Sequence, residues 1–212
     1  NCDWSSDVCS SDLADDVSIV TTGGDGADAG VLGSFVQVDA GSEGDTLTLQ
    51  GSGASTRVEL NGQGGTDTVN VWTTGALSVT DVNGGANSDT INVGSPGDSL
   101  GGVLGDVYVN GDGHDAGTTT LTIRTDGNTL ESGDILNLND QGDAGSFTYA
   151  LDAATFARTG TATVAYGTIE TLNVNTSSGV ADVDVTTTAA SVNTNITTQG
   201  AADVVDVSDT EI

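Results

Sequence analysis

The feature that most constrains this chain is a pattern of short strands that returns every 22 residues. Three matching segments read Asp-Thr-Leu-Thr-Leu at 45–49, Asp-Thr-Val-Asn-Val at 67–71 and Asp-Thr-Ile-Asn-Val at 89–93. Each alternates apolar and polar residues, which is typical of a β-strand with one buried face. Half-way strands are expected at 57–60 and 77–79. Short strands in a fixed repeat, none able to bury its apolar face alone, predict a β-solenoid.

The same alternation continues less regularly along the rest of the chain. Further apolar-polar-apolar segments lie at 107–109, 121–123, 135–138, 172–174, 183–185 and 205–207. Residues 14–212 are therefore predicted to form one parallel β-solenoid with coils of about 22 residues, irregular around 145–170 and truncated at both ends. An antiparallel β-sandwich is the alternative, because it too joins many short strands by turns, although nothing in a sandwich requires a fixed step.

The composition limits both the core and the partners of such a fold. Aromatic residues make up only 4% of the 212 residues, so the interior is expected to be aliphatic. Glycines are expected to supply positive φ angles at tight corners, at Gly62, Gly64, Gly65, Gly84 and Gly85. The 31 acidic residues against three basic ones give a formal net charge of −28, which excludes binding to nucleic acid by charge attraction. No run approaches the roughly 18 apolar residues of a membrane helix, so membrane insertion is not expected.

The first residues differ from the rest of the chain and are interpreted as an artefact. Residues 3–13 resemble the translation of a short-read sequencing adapter. Residues 1–13 are therefore expected to have no native structure. Both cysteines, Cys2 and Cys9, fall in this segment, so neither a disulfide nor a cysteine-bound metal is expected in the remainder.

A coil of 22 residues would place Asp45, Asp67 and Asp89 one above another at the same corner. At about 5 Å, neighbouring carboxylates repel by roughly 1 kcal/mol in water and about 3 kcal/mol at an intermediate dielectric. Calcium would offset this repulsion, because it takes roughly six to eight oxygen ligands from carboxylates and carbonyls. The alternative is that these aspartates cap turns or point into solvent, where salt screens them.

Several corners resemble the Gly-Gly-x-Gly-x-Asp-x-apolar-x nonapeptide of the repeat-in-toxin family of calcium-binding proteins. The segments are Gly-Gly-Asp-Gly-Ala-Asp at 23–28, Gly-Gln-Gly-Gly-Thr-Asp-Thr-Val-Asn at 62–70, Gly-Gly-Ala-Asn-Ser-Asp-Thr-Ile-Asn at 84–92 and Asn-Gly-Asp-Gly-His-Asp at 110–115. The chain also looks like long repetitive bacterial surface and secreted proteins built on degenerate versions of this motif. It departs from the family in spacing, because family motifs run in tandem and these lie about 22 residues apart.

In that family, calcium lies between successive turns and is held by the motif aspartate and by carbonyls of the glycine loop. The resemblance therefore implies calcium as cofactor, with Asp28, Asp45, Asp67, Asp89 and Asp115 as ligands. It also implies an extracellular or cell-surface location, where calcium drives folding after export. The expected function is that of a non-catalytic structural or adhesive segment, with calcium ions and surface glycans or other cells as partners.

A polysaccharide-acting parallel β-helix, either a lyase or a hydrolase, is the alternative function. Pairs of aspartates at catalytic separations arise by chance in so acidic a chain, so they do not favour an enzyme. The single histidine, His114, lies in a polar turn and is expected to be solvated. The arginines Arg57, Arg124 and Arg158 are expected on strand surfaces rather than in a catalytic site.

Overall fold

The computed structural model of the chain describes residues 16–20, 34–113 and 133–208. These residues form β-strands and no helix, which confirms the all-β class for the part of the chain that is described. The strands are β1 Asp16–Val20, β2 Ser34–Gly41, β3 Thr46–Gly51, β4 Thr56–Gln63, β5 Thr68–Val71, β6 Val79–Ala86, β7 Thr90–Val93, β8 Asp106–Gly113, β9 Ile135–Asn139, β10 Phe147–Leu151, β11 Thr155–Arg158, β12 Val164–Gly167, β13 Thr171–Asn175, β14 Ala181–Val185, β15 Asn193–Thr197 and β16 Val204–Val207. Within the same ranges there is no helix long and apolar enough to cross a membrane.

The strands form two large sheets, and the chain passes back and forth between them. Sheet I contains seven strands in the order β1-β3-β5-β7-β9-β13-β15. Sheet II contains nine strands in the order β16-β14-β10-β11-β12-β8-β6-β4-β2. Among the described strands, antiparallel pairing is confined to β10–β11 and β11–β12. The otherwise parallel pairing contradicts the antiparallel β-sandwich, in which neighbouring strands run in opposite directions.

The strands pair in register at the spacing that the sequence predicts. In sheet I, Thr46 pairs with Thr68 and Thr68 with Thr90, a step of 22 residues each time. The pairs β2–β4 and β4–β6 of sheet II keep the same step. The half-way strand expected at 77–79 begins only at Val79, because Leu77 lies in an exposed turn with a φ of 62°. Equivalent residues of the repeated segments therefore lie side by side across each sheet.

The core lies between the two sheets and is mainly aliphatic. The fully buried, inward-facing residues of sheet I include Leu47, Leu49, Val69, Val71, Ile91, Val93, Leu136 and Leu138. The same cluster contains Val58, Leu60, Val82, Val107 and Val109 from sheet II. Burying one such side chain contributes about 1.5–3 kcal/mol relative to leaving it exposed. The apolar positions of the alternating sequence pattern are thus the buried positions in both sheets.

The stretch from β10 to β12 adds an antiparallel excursion to sheet II. β10 pairs in parallel with β14, β12 pairs in parallel with β8, and β11 runs antiparallel between them. Sheet I has only β9 opposite these three strands. Thr171 of β13 therefore pairs with Ile135 of β9, which lies 36 residues earlier in the sequence. The buried aromatic residues of the described core, Tyr149, Phe156 and Tyr166, all belong to this excursion. The excursion therefore contributes the largest buried rings of the described core.

Candidate functional site

A column of acidic residues runs along the corner where the chain enters the strands of sheet I. Its members directly precede β3, β5, β7, β9 and β13 and are Asp45, Asp67, Asp89, Asp134 and Glu170. The four aspartates are at most 2% exposed. We call this set the acidic column. It places Asp45, Asp67 and Asp89 in one line, as the repeat predicts.

Each acid of the column after Asp45 accepts a hydrogen bond from the backbone N–H of the member before it. The N–H of Asp45 donates to Oδ1 of Asp67 at 2.7 Å, and the N–H of Asp67 donates to Oδ1 of Asp89 at 2.8 Å. The N–H of Asp89 donates to Oδ1 of Asp134 at 2.7 Å, and the N–H of Asp134 donates to Oε2 of Glu170 at 2.6 Å. These bonds satisfy backbone donors at the corners, where the sheet does not reach. The column therefore links neighbouring strands of sheet I by hydrogen bonds at the points where these strands begin.

The second carboxylate oxygen of both Asp67 and Asp89 is buried and accepts no hydrogen bond. Each lies in a notch left by a glycine. A β-carbon at residue 62 would lie 2.3 Å from Oδ2 of Asp67 and 2.2 Å from the carbonyl oxygen of Gly84. A β-carbon at Gly84 would lie 2.7 Å from Oδ2 of Asp89 and 2.9 Å from the carbonyl oxygen of Gly111. Each notch thus brings a carboxylate oxygen and a backbone carbonyl oxygen into one small space.

Burial makes the negative charge of this column unfavourable. Desolvation raises the pKa of Asp89 to about 7; the N–H bond from Asp67 opposes this effect, and the charges of Asp134, Asp67 and Asp112 add to it. Desolvation likewise raises the pKa of Asp67, with the N–H of Asp45 acting against it and the charge of Asp45 acting with it. A proton or a cation at these levels would neutralise the charge.

The oxygens of the two notches are of the kind that calcium prefers, since it binds carboxylate and backbone carbonyl oxygens in flexible geometry. The donor set and the buried, unbonded oxygens therefore fit a calcium ion in chemical type. Of the ligands predicted from sequence, Asp45, Asp67 and Asp89 lie together in the column. The other two, Asp28 and Asp115, lie outside the described residues.

Two members of the column, Asp134 and Glu170, are missed by the sequence prediction. The signal is present, because Asp134 precedes Ile-Leu-Asn-Leu and Glu170 precedes Thr-Leu-Asn-Val. Both match the acid-x-apolar-x-apolar pattern of the repeated segments. Their steps of 45 and 36 residues along the column, in place of 22, hide the match.

A second acidic cluster lies on the outer face of sheet II. Asp182, Asp184 and Asp206 offer carboxylate oxygens that lie within 4.8 Å of one another, and all three side chains are exposed. Asp184 and Asp206 are register partners on the adjacent parallel strands β14 and β16. Three converging carboxylates can hold a hard cation, although exposed carboxylates are also stable without one. We call this set the surface cluster.

Arg158 is buried, so the prediction that it lies on a strand surface is wrong. Its Nη1 lies 2.5 Å from Oδ1 of Asp140 and 2.7 Å from Oδ2 of Asp143. The guanidinium also lies over the ring of Phe147, 3.5 Å from the centroid. The hydroxyl of Tyr149 donates to the other oxygen of Asp140 at 2.6 Å. Arg158 points inward, where the segment between β9 and β10 supplies both of its acidic partners.

This buried ion pair is closed to solvent, since the side chains of Arg158 and Asp140 are 4% and 0% exposed. A dissolved substrate therefore does not reach it. Arg57 lies on the strand surface as predicted and binds Asp81 at 3.0 Å. The remaining residues of this prediction, His114 and Arg124, lie outside the described ranges.

Comparison with known proteins assigns no family to this arrangement: no protein-family model, no curated protein and no solved structure matches the chain.

Proposed function

We propose that this chain is a non-catalytic structural or adhesive segment of an extracellular repetitive protein. In this proposal it forms a parallel β-solenoid that calcium stiffens at corners containing glycine and aspartate. The solenoid is supported by the alternation of strands between sheets I and II and by the in-register pairing of residues 22 apart. A single, mainly aliphatic core that runs from β1 to β14 would make such a stack act as one stiff body.

The observation that carries the calcium proposal is the pair of buried oxygens in the acidic column. Oδ2 of Asp67 and Oδ2 of Asp89 each share a notch with a carbonyl oxygen and accept no hydrogen bond. A buried polar atom left unsatisfied costs about 1–3 kcal/mol, and more when it is charged. Calcium held by Asp67 and Asp89 together with the carbonyl oxygens of Gly84 and Gly111 would supply the missing positive charge and remove this cost.

The charge of the whole chain supports an external counterion. The formal net charge is −28, and the described basic residues, Arg57 and Arg158, already lie beside acidic partners. Calcium sites of extracellular modules have dissociation constants of about 10⁻⁴–10⁻³ M, weak enough to fill outside cells and to stay empty in the cytoplasm. An extracellular location follows from this difference, as does folding that is completed after export.

Thermal unfolding, followed by circular dichroism, tests this proposal. Melts are recorded with millimolar calcium, with millimolar magnesium and with a chelator, at equal ionic strength. Calcium should raise the melting temperature clearly, because it binds the folded corners and not the unfolded chain. Magnesium should raise it less, because it demands near-octahedral geometry and keeps its water ligands. Superimposable calcium and chelator curves would contradict the calcium part of the proposal.

A matched variant separates the acidic column from the surface cluster. Replacing all three exposed aspartates by asparagine (Asp182→Asn, Asp184→Asn and Asp206→Asn) leaves the column intact. The calcium-dependent rise in melting temperature should persist in this variant. If the rise disappears, the stabilising ion binds at the surface cluster and the corner assignment is wrong.

A further inference from the structure

Within the described residues, six neighbouring strands of sheet I carry no charge, although the chain as a whole is strongly acidic. The strands β3, β5, β7, β9, β13 and β15 of sheet I contain neither acidic nor basic residues. In sheet II, by contrast, acidic residues lie on β2, β4, β6, β8, β14 and β16. Sheet I also contains β1 at its edge, where Asp16 is exposed and pairs with Thr46. The outer side of the other six strands is uncharged, and we call it the amide face.

The centre of the amide face is a row of asparagine side chains. It consists of Asn70, Asn92, Asn137, Asn173 and Asn195, which are register partners on adjacent strands. Along the row, Nδ2 of each asparagine donates to Oδ1 of the one before it, at 2.9, 2.8, 2.8 and 2.9 Å. We call this set the asparagine ladder. It holds the amide groups in one fixed orientation.

The ladder leaves hydrogen-bonding capacity unused. A primary amide has two N–H donors and can accept two hydrogen bonds. Each bond of the ladder uses one donor of one residue and one acceptor site of the next, so an inner asparagine such as Asn137 keeps one of each. These free sites recur at the strand spacing of about 4.8 Å. The amide face thus presents a straight row of uncharged donors and acceptors.

We infer that the amide face binds a neutral, hydroxyl-rich polysaccharide that lies along the asparagine ladder; this inference deepens the proposed adhesive function and rests on it. A hydroxyl group donates and accepts at the same oxygen, so it matches an amide that keeps one donor and one acceptor. A cationic partner would bind the acidic sheet II instead. An anionic polymer would be repelled by the field of the whole molecule.

The size of the face favours a linear polymer over a second copy of the chain. From β3 to β15 it measures about 24 Å by about 15 Å, or about 360 Å². A stable protein pair buries about 800 Å² on each partner. A polysaccharide chain does not need such an area at one site, because its contacts add up along its length and along neighbouring molecules.

Retention on insoluble polysaccharides tests this inference. The folded protein, in calcium, is mixed with microcrystalline cellulose, insoluble mannan and cross-linked dextran at low and high salt, and the bound fraction is measured. At least one of the three should retain the protein. Retention should be the same at both salt concentrations, because the contact is uncharged. Failure of all three to retain the folded protein would overturn the inference, as would retention that disappears at high salt.

Two matched variants locate the contact. Asn137→Asp places a negative charge in the middle of the ladder and removes a donor, and retention should fall about tenfold or more. Asn83→Asp makes the same change in sheet II, where Asn83 donates to Asn61 at 2.6 Å, and retention should not change. Asn137→Thr keeps a neutral strand-forming residue and should give an intermediate loss. Equal losses in the Asn137 and Asn83 variants would overturn the assignment to the amide face.

Circular dichroism of the same samples separates this inference from the proposed function. A protein that is folded and stabilised by calcium but not retained contradicts the polysaccharide inference alone. A protein that is retained but insensitive to calcium contradicts the calcium role alone. If Asn137→Asp does not fold, Asn137→Thr and Asn83→Asp still decide where the polysaccharide binds.

Discussion

Among single residues, the corner glycines serve two different purposes. Gly65 and Gly85 have φ angles of 117° and 108°, which side chains of L-residues rarely tolerate. The prediction of positive φ is wrong for Gly64, and also for Gly62 and Gly84, which lie inside β4 and β6. These two are glycine because a β-carbon would enter the space of a buried carboxylate and of a carbonyl oxygen. Their role is to provide room for the acidic column.

Gly62→Ala should therefore destabilise the protein, because the new methyl group would lie 2.2 Å from the carbonyl oxygen of Gly84. Forcing a methyl group into a packed site costs about 1–3 kcal/mol, which urea unfolding at constant calcium would measure. The matched control is Gly167→Ala in β12, where an added β-carbon meets no atom within 4 Å. It should stay within about 0.5 kcal/mol of the original chain. Equal losses at both positions would show that the notch is not the reason for glycine.

Among the strands, the excursion from β10 to β12 is the main departure from the regular step. It gives sheet II two more strands than sheet I, which widens sheet II by about 10 Å at this level. Larger side chains fill the added interior, among them Tyr149 and Phe156, whose ring centroids lie 6.1 Å apart. The ion pair of Arg158 with Asp140 occupies the polar part of the same space. The excursion thus contributes larger and more polar residue types to the common core.

Arg158→Met should weaken the fold strongly, because it leaves Asp140 buried without its positive partner. Breaking a buried ion pair by removing one member costs about 3–5 kcal/mol. Arg57→Met is the matched control, since Arg57 is 46% exposed and its pair with Asp81 contributes at most about 1 kcal/mol. Urea unfolding of both variants measures the difference. Similar small losses in the two variants would mean that the buried pair does not hold the excursion in place.

The limits of sequence prediction are clearest for these strands. Repeated segments at a constant step identify β3, β5 and β7 together with their buried residues, because register and burial both follow from the step. The segment Phe-Ala-Arg at 156–158 lacks the apolar-polar-apolar alternation of the other strands, so its sequence predicts neither an antiparallel strand nor the burial of Arg158. Its partner Asp140 lies 18 residues earlier. The surface cluster likewise becomes visible only when β14 and β16 are known to be neighbours.

In the molecule as a whole, the acidic column is the place where carboxylates are buried in a row. Carboxylates with ordinary pKa values are already ionised at about pH 5, so they change little between about pH 5 and about pH 8. Asp89 differs, because burial raises its pKa from 3.8 to about 7, and the pKa of Asp67 moves in the same direction. The folded state therefore holds protons that the unfolded state has lost. Stability from these groups is complete below about pH 4 and disappears as the pH rises through about 7.

Without calcium, the protein should consequently be less stable at about pH 8 than at about pH 5, with Asp89 alone contributing a loss of up to about 3 kcal/mol between these two pH values. Calcium should restore stability mainly at the higher pH, because it binds the ionised carboxylates and competes with protons. Urea unfolding at the two pH values, in chelator and in calcium, measures both effects.

Asp89→Asn is the control: its amide stays neutral, so the pH dependence in chelator and the gain from calcium should both shrink. Stability in chelator that rises from about pH 5 to about pH 8 would contradict the raised pKa values of the column.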